Sequence, residues 1–335
     1  MAPQFIFGTA GFGMDMTEFQ DADFVKSLLT TLQDLGISHL DTAARDPVLN
    51  PGRSEELLGE ARELSREFIV DTKVYTDNLR RGLGALTPEA ISKSVDASLQ
   101  RLHRPEGVNM LYAHGPDLDT NLEDQIKGFA EQIAKGHCKA WGVSNMKPKM
   151  LQTILYFCEK YVYPKPSYYQ GVYNVITRGM EDELWRMLEA NDMKFVAYWA
   201  VGAGFLTGKF VNGQHAGTRF ADDNPIGKHM QESYEGEDVL EAVKKFDAET
   251  RALGLTPLEV SIRWIFHHSK LRDEDYVLLG ASKVEHVVEN VAFIRKGPLP
   301  ESVLPLVEEV WDSVKESRGK IINGYSPSPG FWLDI

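Results

Sequence analysis

The feature that most constrains the fold of this chain is a regular alternation of short apolar runs with longer amphipathic ones. The apolar runs predict strands at 5–8, 39–42, 68–73, 109–114, 140–144, 168–171, 195–199 and 277–280. Amphipathic runs predict helices near 21–35, 54–64, 87–102, 122–135, 147–160, 181–191, 238–266 (in two pieces) and 284–294. Strands alternating with helices indicate βαβ units, and eight such units predict an α/β fold of the (β/α)8 TIM barrel type.

One stretch interrupts this alternation. Residues from about 202 to 236, after the seventh strand, are rich in Gly, Asn and Asp and show little periodicity, which predicts a long structureless loop with a functional or mobile role. A last helix is expected near 301–317, followed by a tail from about 318 to 335. No repeat or linker divides the 335 residues, so the sequence predicts a single domain over 1–335.

Charge and composition narrow the possible partners. The net charge of −13 argues against nucleic acid and anionic membranes, and an anionic cofactor requires a local basic patch. No apolar stretch is long enough to span a bilayer, and the start of the chain does not resemble a secretory signal. Two cysteines do not make a disulfide framework. We therefore expect a cytoplasmic protein, monomer or homodimer, with a small-molecule substrate.

Polar side chains recur where the predicted strands end. In chain order they are Asp41, Lys73, His114, Ser144, Asn145, Gln170 and Tyr198. In a barrel of this kind the carboxyl ends of the strands carry the active site. One such residue has an ordinary structural explanation, but a series in consecutive units predicts a functional rim.

Together with these residues, a set of motifs resembles the aldo-keto reductase superfamily, specifically its aflatoxin-aldehyde and succinic-semialdehyde reductase branch. The motifs are HLDTA at 39–43, GRSEELLG at 52–59, LYAHGPD at 111–117, WGVSN at 141–145, YQGVYN at 169–174, GFLTGK at 204–209, RWIFHHSK at 263–270 and LGAS at 279–282. The resemblance runs from Phe7 to about Asn290. It implies hydride transfer from a nicotinamide to a carbonyl, with a tyrosine as proton donor.

The resemblance also implies roles for individual residues. Asp41 would hold Lys73, whose charge depresses the pKa of the acid, and His114 would orient the substrate oxygen. Ser144, Asn145 and Gln170 would bind the carboxamide of the nicotinamide, and Tyr198 would stack on its ring. The implied phosphate and adenosine contacts are Lys209, Arg219, Ser282, His286, Glu289 and Asn290. A helix N-terminus with a serine and nearby cations suits a 2′-phosphate, so NADP is expected rather than NAD.

The chain departs from this pattern at the proton donor. Asp46 stands five residues after Asp41, where the family has its tyrosine. A nearby lysine should keep an aspartate ionised, although desolvation in a dry pocket would raise its pKa. His114 or a water would then supply the proton in any surviving reduction. Tyr75, two residues past Lys73, is the better substitute among the nearest tyrosines, ahead of Tyr112.

A second departure is Trp199, which follows Tyr198 where the family usually has serine or asparagine. It either crowds the cofactor and substrate pocket or packs outward between helices. Several apolar side chains suggest an apolar or aromatic ligand, namely Phe12, Met14, Trp199, Phe205 and Phe220.

Three functions remain open on the sequence alone. The first is an NADPH-dependent reductase of a carbonyl or conjugated molecule with an atypical proton donor. The second is a repurposed barrel in which Asp46 performs non-redox acid–base chemistry such as dehydration, isomerisation or cyclisation. The third is a non-catalytic cofactor-binding protein. The adjacent histidines His267 and His268 point to different faces of a helix, so a metal site is not expected.

Overall fold

The computed structural model describes residues 2–76 and 84–321. Its eight strands are all parallel and close into a barrel in chain order, with the last strand paired to the first. The strands are β1 Gln4–Gly8, β2 His39–Asp41, β3 Ile69–Val74, β4 Val108–Ala113, β5 Cys138–Ser144, β6 Tyr168–Val172, β7 Lys194–Tyr198 and β8 Tyr276–Leu279. The predicted (β/α)8 barrel is confirmed.

Helices cover the outside of the barrel. They are α1 Ala22–Leu35, α2 Arg53–Glu60, α3 Arg62–Ser65, α4 Pro88–Arg101, α5 Leu122–Ala134, α6 Pro148–Tyr161, α7 Glu183–Ala190, α8 Gly227–Glu232, α9 Glu237–Ala252, α10 Pro257–His267, α11 Val284–Arg295 and α12 Leu304–Arg318. Short 3-10 turns occupy Gly179–Glu181, Gly202–Thr207 and Glu301–Val303. In the described residues, no helix combines the length and the apolar character that crossing a membrane requires.

Local capping fixes where several helices begin. The side chain of Asp21 accepts hydrogen bonds from two amides at the start of α1. Thr87 and Thr256 each precede a proline at the first helical position, and each caps its helix through its hydroxyl. Such caps satisfy amides that have no partner inside the helix. Glu259 does not complete a capping box, since its carboxylate binds Arg263 and Lys296 instead.

The apolar core lies between the barrel and its helices. Leu28, Leu29 and Leu32 of α1 are fully buried there, and Phe129 of α5 stacks on Trp141 of β5 with ring centroids 4.8 Å apart. The barrel interior is more polar. His39 and Asp71 form a buried pair at 2.9 Å inside it. Charged side chains therefore lie inside the barrel, whereas the apolar core lies outside it.

A long loop follows β7 as predicted, but the expectation that residues 202–236 lack structure is wrong. This segment contains the 3-10 turn Gly202–Thr207 and the helix α8, and its aromatic side chains form a cluster. Phe205 stacks on Tyr234 at 4.3 Å, and Phe220 packs against both rings. Arg318 of α12 lies 4.7 Å from the Tyr234 ring. The loop after β7 is therefore held against the body of the protein, and residues 322–335 of the predicted tail lie outside the described residues.

Candidate active site

A buried ion pair stands at the centre of the rim. Lys73 in β3 donates to the carboxylate of Asp41 at the end of β2, and also to the backbone oxygen of Thr42 at 2.8 Å. Gln170 of β6 donates to the second oxygen of Asp41 at 2.9 Å. Burial raises the pKa of the Asp41 carboxyl, while Lys73 and Gln170 oppose that rise. The structure thus brings these three predicted residues together.

Near the carboxyl ends of β4, β5 and β7, hydrogen bonds link four more predicted residues. Tyr198 donates its hydroxyl to the side-chain oxygen of Asn145 at 2.6 Å. The amide nitrogen of Asn145 contacts the backbone oxygen of His114 and the hydroxyl of Ser144, both at 3.0 Å. Asn145 adopts a positive φ of 61°. The polar ends of β4, β5 and β7 are therefore tied to one another.

Asp46 lies in a turn that is held in place by backbone hydrogen bonds. The Asp46 amide donates to Ala43, and its carbonyl accepts from the amides of Gly52 and Ser54, where α2 begins. Ser54 in turn donates its hydroxyl to the backbone oxygen of Thr9 at 2.8 Å. The Asp46–Pro47 peptide bond is cis. The conformation of the chain around Asp46 is thus held by β1 and α2.

Glu55 adds a second anchor to the same turn. It is completely buried and accepts from Thr72 at 2.6 Å and from the Nε of Arg101 at 2.8 Å. A buried carboxylate with several donors is satisfied and holds its neighbours in place. The GRSEELLG motif at 52–59 therefore positions Asp46 relative to β3 and α4.

The carboxyl of Asp46 stands in an unusual electrostatic environment. Burial raises its pKa to about 6, with Asp41 and Glu55 adding to the rise and Lys73 and Arg219 opposing it. Of the two opposing influences expected from the sequence, desolvation outweighs the lysine charge, so Lys73 does not hold the pKa of Asp46 below its usual value. Asp46 makes no side-chain hydrogen bond within the residues described. The group therefore changes protonation state close to neutral pH.

The pKa of His114 is shifted in the opposite direction. Burial, together with the charges of Lys73 and Arg45, lowers its pKa well below the usual value. Its Nδ1 is buried and has no hydrogen-bond partner among the described residues. The imidazole is therefore neutral at physiological pH and can donate a single hydrogen bond.

The two nearest tyrosines do not replace the missing phenol. Tyr75, the expected substitute, is 42% exposed, and its amide bonds to Ser94 of α4 on the outside of the barrel. Tyr112 lies closer to the ion pair, with the Lys73 ammonium 5.9 Å from its ring centroid. Its hydroxyl is buried without a partner among the described residues, and burial together with the charges of Asp71 and Asp41 raises its pKa. Tyr112, rather than the expected Tyr75, is therefore the tyrosine that lies close to the ion pair.

Two cations expected to bind phosphate lie on the loop after β7. Lys209 is exposed and joins no ion pair among the described residues. Arg219 is partly buried, and one of its terminal nitrogens comes within 3.9 Å of where a β-carbon on Gly11 would stand. Burial lowers the pKa of Arg219, and the charge of Asp46 counteracts this. A phosphate would find both guanidinium and ammonium without internal hydrogen-bond partners.

The residues expected to bind the adenosine end of the cofactor lie at the start of α11 and in its first turns. Ser282 contacts the Nδ1 of His286 at 3.2 Å, Glu289 is exposed and Asn290 is buried. The carboxylate of Glu18 accepts from the amide of Val284 at 3.3 Å. An acidic group thus already occupies one amide at this helix N-terminus. Glu18 thus presents a negative charge at the helix N-terminus where the resemblance implies the adenosine phosphate, while Arg219 and Lys209 remain available to an anionic group.

The expected aromatic pocket is largely wrong. Phe12, Phe205 and Phe220 are buried in the core, so they do not offer a surface to a ligand. Met14 and Trp199 remain partly exposed. The Trp199 ring lies 5.9 Å from Tyr198 and 6.3 Å from Tyr234, and its backbone oxygen accepts from Asn174. Trp199 thus packs at the rim against the loop after β7.

Three residues that the sequence reasoning passed over also bear on the site. They are Glu18 at the start of α11, Glu55, whose charge acts on Asp46, and Arg45, whose charge acts on His114. Arg45 stands next to Asp46 in the chain, but a lone arginine after a strand gives no signal of its own. In the described ranges no group of three or more histidine, cysteine or acidic residues is placed to hold a metal ion.

Comparison with known proteins places these residues in a wider context. The sequence profile described as the Aldo/keto reductase family matches residues 4–312. The chain is 31% identical over 327 residues to oxidoreductase sirO of Leptosphaeria maculans, covering 94% of this chain and 95% of that protein. It is 28% identical to aldo-keto reductase family 7 member A3 of Homo sapiens, covering 90% and 92%. Identity to aflatoxin B1 aldehyde reductase member 2 of Mus musculus is also 28%, covering 94% and 86%.

Proposed function

Because this chain belongs to the aldo/keto reductase family, we propose that it is an NADP-dependent oxidoreductase that reduces a carbonyl on a small molecule, with Asp46 as the proton donor. Membership in the family makes the chain an oxidoreductase of carbonyl substrates. The choice of NADP, of the proton donor and of the site residues is our proposal. In such a reaction a reduced nicotinamide supplies a hydride to the carbonyl carbon.

The observation that carries this proposal is the raised pKa of Asp46, about 6. A carboxyl with this pKa is present as the acid in useful amounts near neutral pH, and proton transfer is most effective when the pKa lies near the working pH. Asp46 gives its proton to the carbonyl oxygen and is left as a carboxylate beside Lys73. Solvent then restores the proton. An aspartic acid whose pKa is raised by burial thus takes the place of the tyrosine that the family uses as its proton donor.

His114 supports this step by orienting the substrate. With its pKa lowered well below the usual value, the ring carries one proton. Since Nδ1 is buried without a partner, we place that proton on Nε2, which then donates to the carbonyl oxygen. Lys73 lies within electrostatic range of both His114 and Asp46.

The remaining residues would hold the dinucleotide. Gln170 keeps its side-chain oxygen available for the carboxamide while its nitrogen binds Asp41, and Ser144 and Asn145 complete that contact. Tyr198 would stack on the nicotinamide ring. Arg219 and Lys209 would bind the pyrophosphate, and the adenosine end would meet Ser282, His286, Glu289 and Asn290. Met14 and Trp199 contribute an apolar surface, which favours a substrate with an apolar or aromatic body.

The same pKa also favours a second candidate function. A carboxyl that titrates near pH 6 acts equally well as a base, so Asp46 could catalyse dehydration, isomerisation or cyclisation without a change in cofactor oxidation state. In that case NADP would be absent or structural.

One experiment separates the proposals. NADPH binding is measured by calorimetry, and then absorbance is followed at pH 6 with aromatic and aliphatic aldehydes. Binding with oxidation of NADPH supports the reductase. Substrate consumption without a change in cofactor absorbance supports the second candidate, and binding without any turnover points to a non-catalytic cofactor-binding protein. Failure to bind NADPH would contradict the reductase outright.

A further inference from the structure

We propose that Ser54 is a positioning residue of the active site, whose hydroxyl fixes the turn that carries Asp46 against the strands that carry the Lys73–Asp41 pair. The inference rests on the proposed function, because it gives the proposed proton donor a supporting residue. Neither the family resemblance nor the proposed reaction assigns such a role to Ser54.

The first observation is a cluster of three buried hydroxyl groups beside the site. Ser54 of α2, Thr9 after β1 and Thr42 after β2 are all 0% exposed. The Ser54 oxygen lies 2.8 Å from the backbone oxygen of Thr9, 2.9 Å from the Thr9 hydroxyl and 3.1 Å from the Thr42 hydroxyl. One side chain therefore joins the ends of two neighbouring strands to the start of a helix.

The donors and acceptors in this cluster follow from what a hydroxyl group can do. A carbonyl oxygen only accepts, so Ser54 gives its single proton to the backbone oxygen of Thr9. Thr42 must then donate its own proton to the Ser54 oxygen, which is the one hydrogen-bond partner of its side chain among the described residues. Without the Ser54 hydroxyl, the Thr42 hydroxyl would be buried and unpaired, which is unfavourable.

The second observation is that Ser54 connects the lysine to the turn at Asp46. The backbone oxygen of Thr42 accepts from the Lys73 ammonium at 2.8 Å. The amide of Ser54 donates to the backbone oxygen of Asp46 at 3.2 Å. The hydroxyl contact between Thr42 and Ser54 lies between these two bonds, so it completes a short path from Lys73 to Asp46.

Asp46 depends on this path because its own side chain is not tied down. Its carboxyl makes no hydrogen bond within the residues described, whereas its carbonyl accepts from Gly52 and Ser54, where α2 begins. The start of α2 has no side-chain cap. A serine near a helix start often caps the helix, but the Ser54 hydroxyl contacts β1 and β2 instead. This hydroxyl therefore holds the start of α2, and Asp46 with it, to those two strands.

Packing alone does not call for hydroxyl groups at these positions. Small apolar side chains would fill a similar volume, whereas hydroxyls that satisfy one another in a dry interior specify a single arrangement. Precision matters at this place, since a catalytic group displaced by about 1 Å can lose about 100-fold in rate. The hydroxyl cluster thus sets how Asp46 lies relative to Lys73.

Turnover with 4-nitrobenzaldehyde and NADPH is the first test. Ser54→Ala removes the hydroxyl but keeps the amide that bonds to Asp46. We expect kcat to fall by about 10-fold to 100-fold, while KM for the aldehyde and Kd for NADPH change by less than about threefold. Ser65→Ala is the matched control and should keep the wild-type kcat. Ser65 is also buried and donates to the backbone oxygen of Leu58 at 2.8 Å, but it contacts no residue proposed for catalysis.

The pH dependence of kcat distinguishes positioning from a general loss of structure. A looser turn admits water to Asp46, and since burial is the main cause of its raised pKa, that pKa should fall. The decline of kcat with rising pH should therefore move down by about 0.5 to 1 pH unit in Ser54→Ala, and it should not move in Ser65→Ala. A merely structural role would lower kcat by the same factor at every pH.

Urea unfolding provides a readout that needs neither substrate nor cofactor. Asp46→Asn should raise the urea midpoint more at pH 8 than at pH 4, and this difference reports how far folding raises the pKa of Asp46. The difference should be smaller by about a third in the Ser54→Ala background and unchanged in the Ser65→Ala background. If the wild-type chain never oxidises NADPH, the proposed function fails, and this comparison still decides whether Ser54 positions Asp46.

Thr42 provides a second pair of variants, which decides if thermal melts show that Ser54→Ala does not fold. Thr42→Val removes the hydroxyl that donates to Ser54 but keeps the β-branched shape, so it should lower kcat and shift the pH profile in the same direction. Thr42→Ser keeps the hydroxyl and should retain most of kcat. A folded Ser54→Ala variant with wild-type kcat and an unshifted pH profile would overturn the inference, and so would a loss of kcat that is equal at every pH.

Discussion

Arg219 faces Asp46 from the loop after β7, close enough for each charge to act on the other, but no hydrogen bond or ion pair joins them within the described chain. The guanidinium is therefore available to a second anion. A cofactor pyrophosphate that binds Arg219 would remove its stabilising effect on the Asp46 carboxylate. Cofactor binding should then raise the pKa of Asp46 further and load it with a proton.

This relationship predicts proton uptake when NADPH binds. Calorimetry at pH 6.5 in buffers of different ionisation enthalpy should show that the wild-type chain takes up a larger fraction of a proton than Asp46→Asn. The variant serves as the control because it retains any proton exchange by the cofactor itself. Equal proton exchange in both proteins would contradict the coupling.

The raised pKa of Asp46 also predicts how the stability of the folded protein depends on pH. A carboxyl whose pKa rises from 3.8 to about 6 on folding stabilises the protein below pH 3.8, and this contribution is lost as the pH rises through about 6. Asp46→Asn, which carries no charge, should therefore raise the free energy of unfolding by about 3 kcal/mol at pH 8. Near pH 4 it should give little gain. Urea unfolding measures both values.

The control for this prediction is Asp15→Asn at an exposed position. It should change stability little at either pH. A gain for Asp46→Asn that is the same at pH 4 and pH 8 would show that burial does not raise the Asp46 pKa.

The Lys73–Asp41 pair predicts a strong energetic coupling. Lys73→Met leaves the Asp41 carboxylate buried without its cation, which should cost about 3 to 5 kcal/mol of stability. Replacing both residues, as Lys73→Met with Asp41→Asn, should recover most of that cost. A double-mutant cycle in urea unfolding measures the coupling. Costs that simply add would mean that the pair is not a unit.

The position of the Glu18 carboxylate at α11 predicts that the protein prefers NADPH over NADH only weakly. Its carboxylate accepts from Val284 at the start of α11, where a 2′-phosphate would otherwise receive that amide. Glu18→Gln should tighten NADPH binding by about fivefold, which corresponds to about 1 kcal/mol, and leave NADH binding unchanged. Fluorescence titration gives both dissociation constants. Glu123→Gln, at the exposed N-terminus of α5, is the matched control. A parallel change for both cofactors in Glu18→Gln would place Glu18 away from the 2′ position.

Much of the fold could be predicted because hydrophobic alternation and capping residues act locally. The strands fall within a few residues of their predicted bounds, and Thr87 and Thr256 cap α4 and α10 through hydrogen bonds to amides three residues along the chain. The loop after β7 was misjudged for a physical reason. Phe205, Phe220 and Tyr234 follow no helical or strand period, and they meet only when the chain has folded back on itself.

The candidate active site, like the fold, could be predicted from the sequence only in part. Strand-end position was enough to bring Lys73, Asp41 and Gln170 together. The raised pKa of Asp46 depends on how much water the folded rim excludes. Sequence spacing holds no information about desolvation, so the ionisation of Asp46 could not be predicted from its neighbours in the chain.

The most direct test of Asp46 as proton donor is the pH dependence of kcat for aldehyde reduction with saturating NADPH. The acid form of Asp46 is active, so kcat should fall as the pH rises through a pKa of about 6, or somewhat higher with cofactor bound. Asp46→Asn should lose the activity, and Asp46→Tyr should reduce aldehydes without this decline near pH 6. A wild-type kcat that is constant from pH 5 to pH 8, or an Asp46→Asn variant with wild-type turnover, would contradict this account.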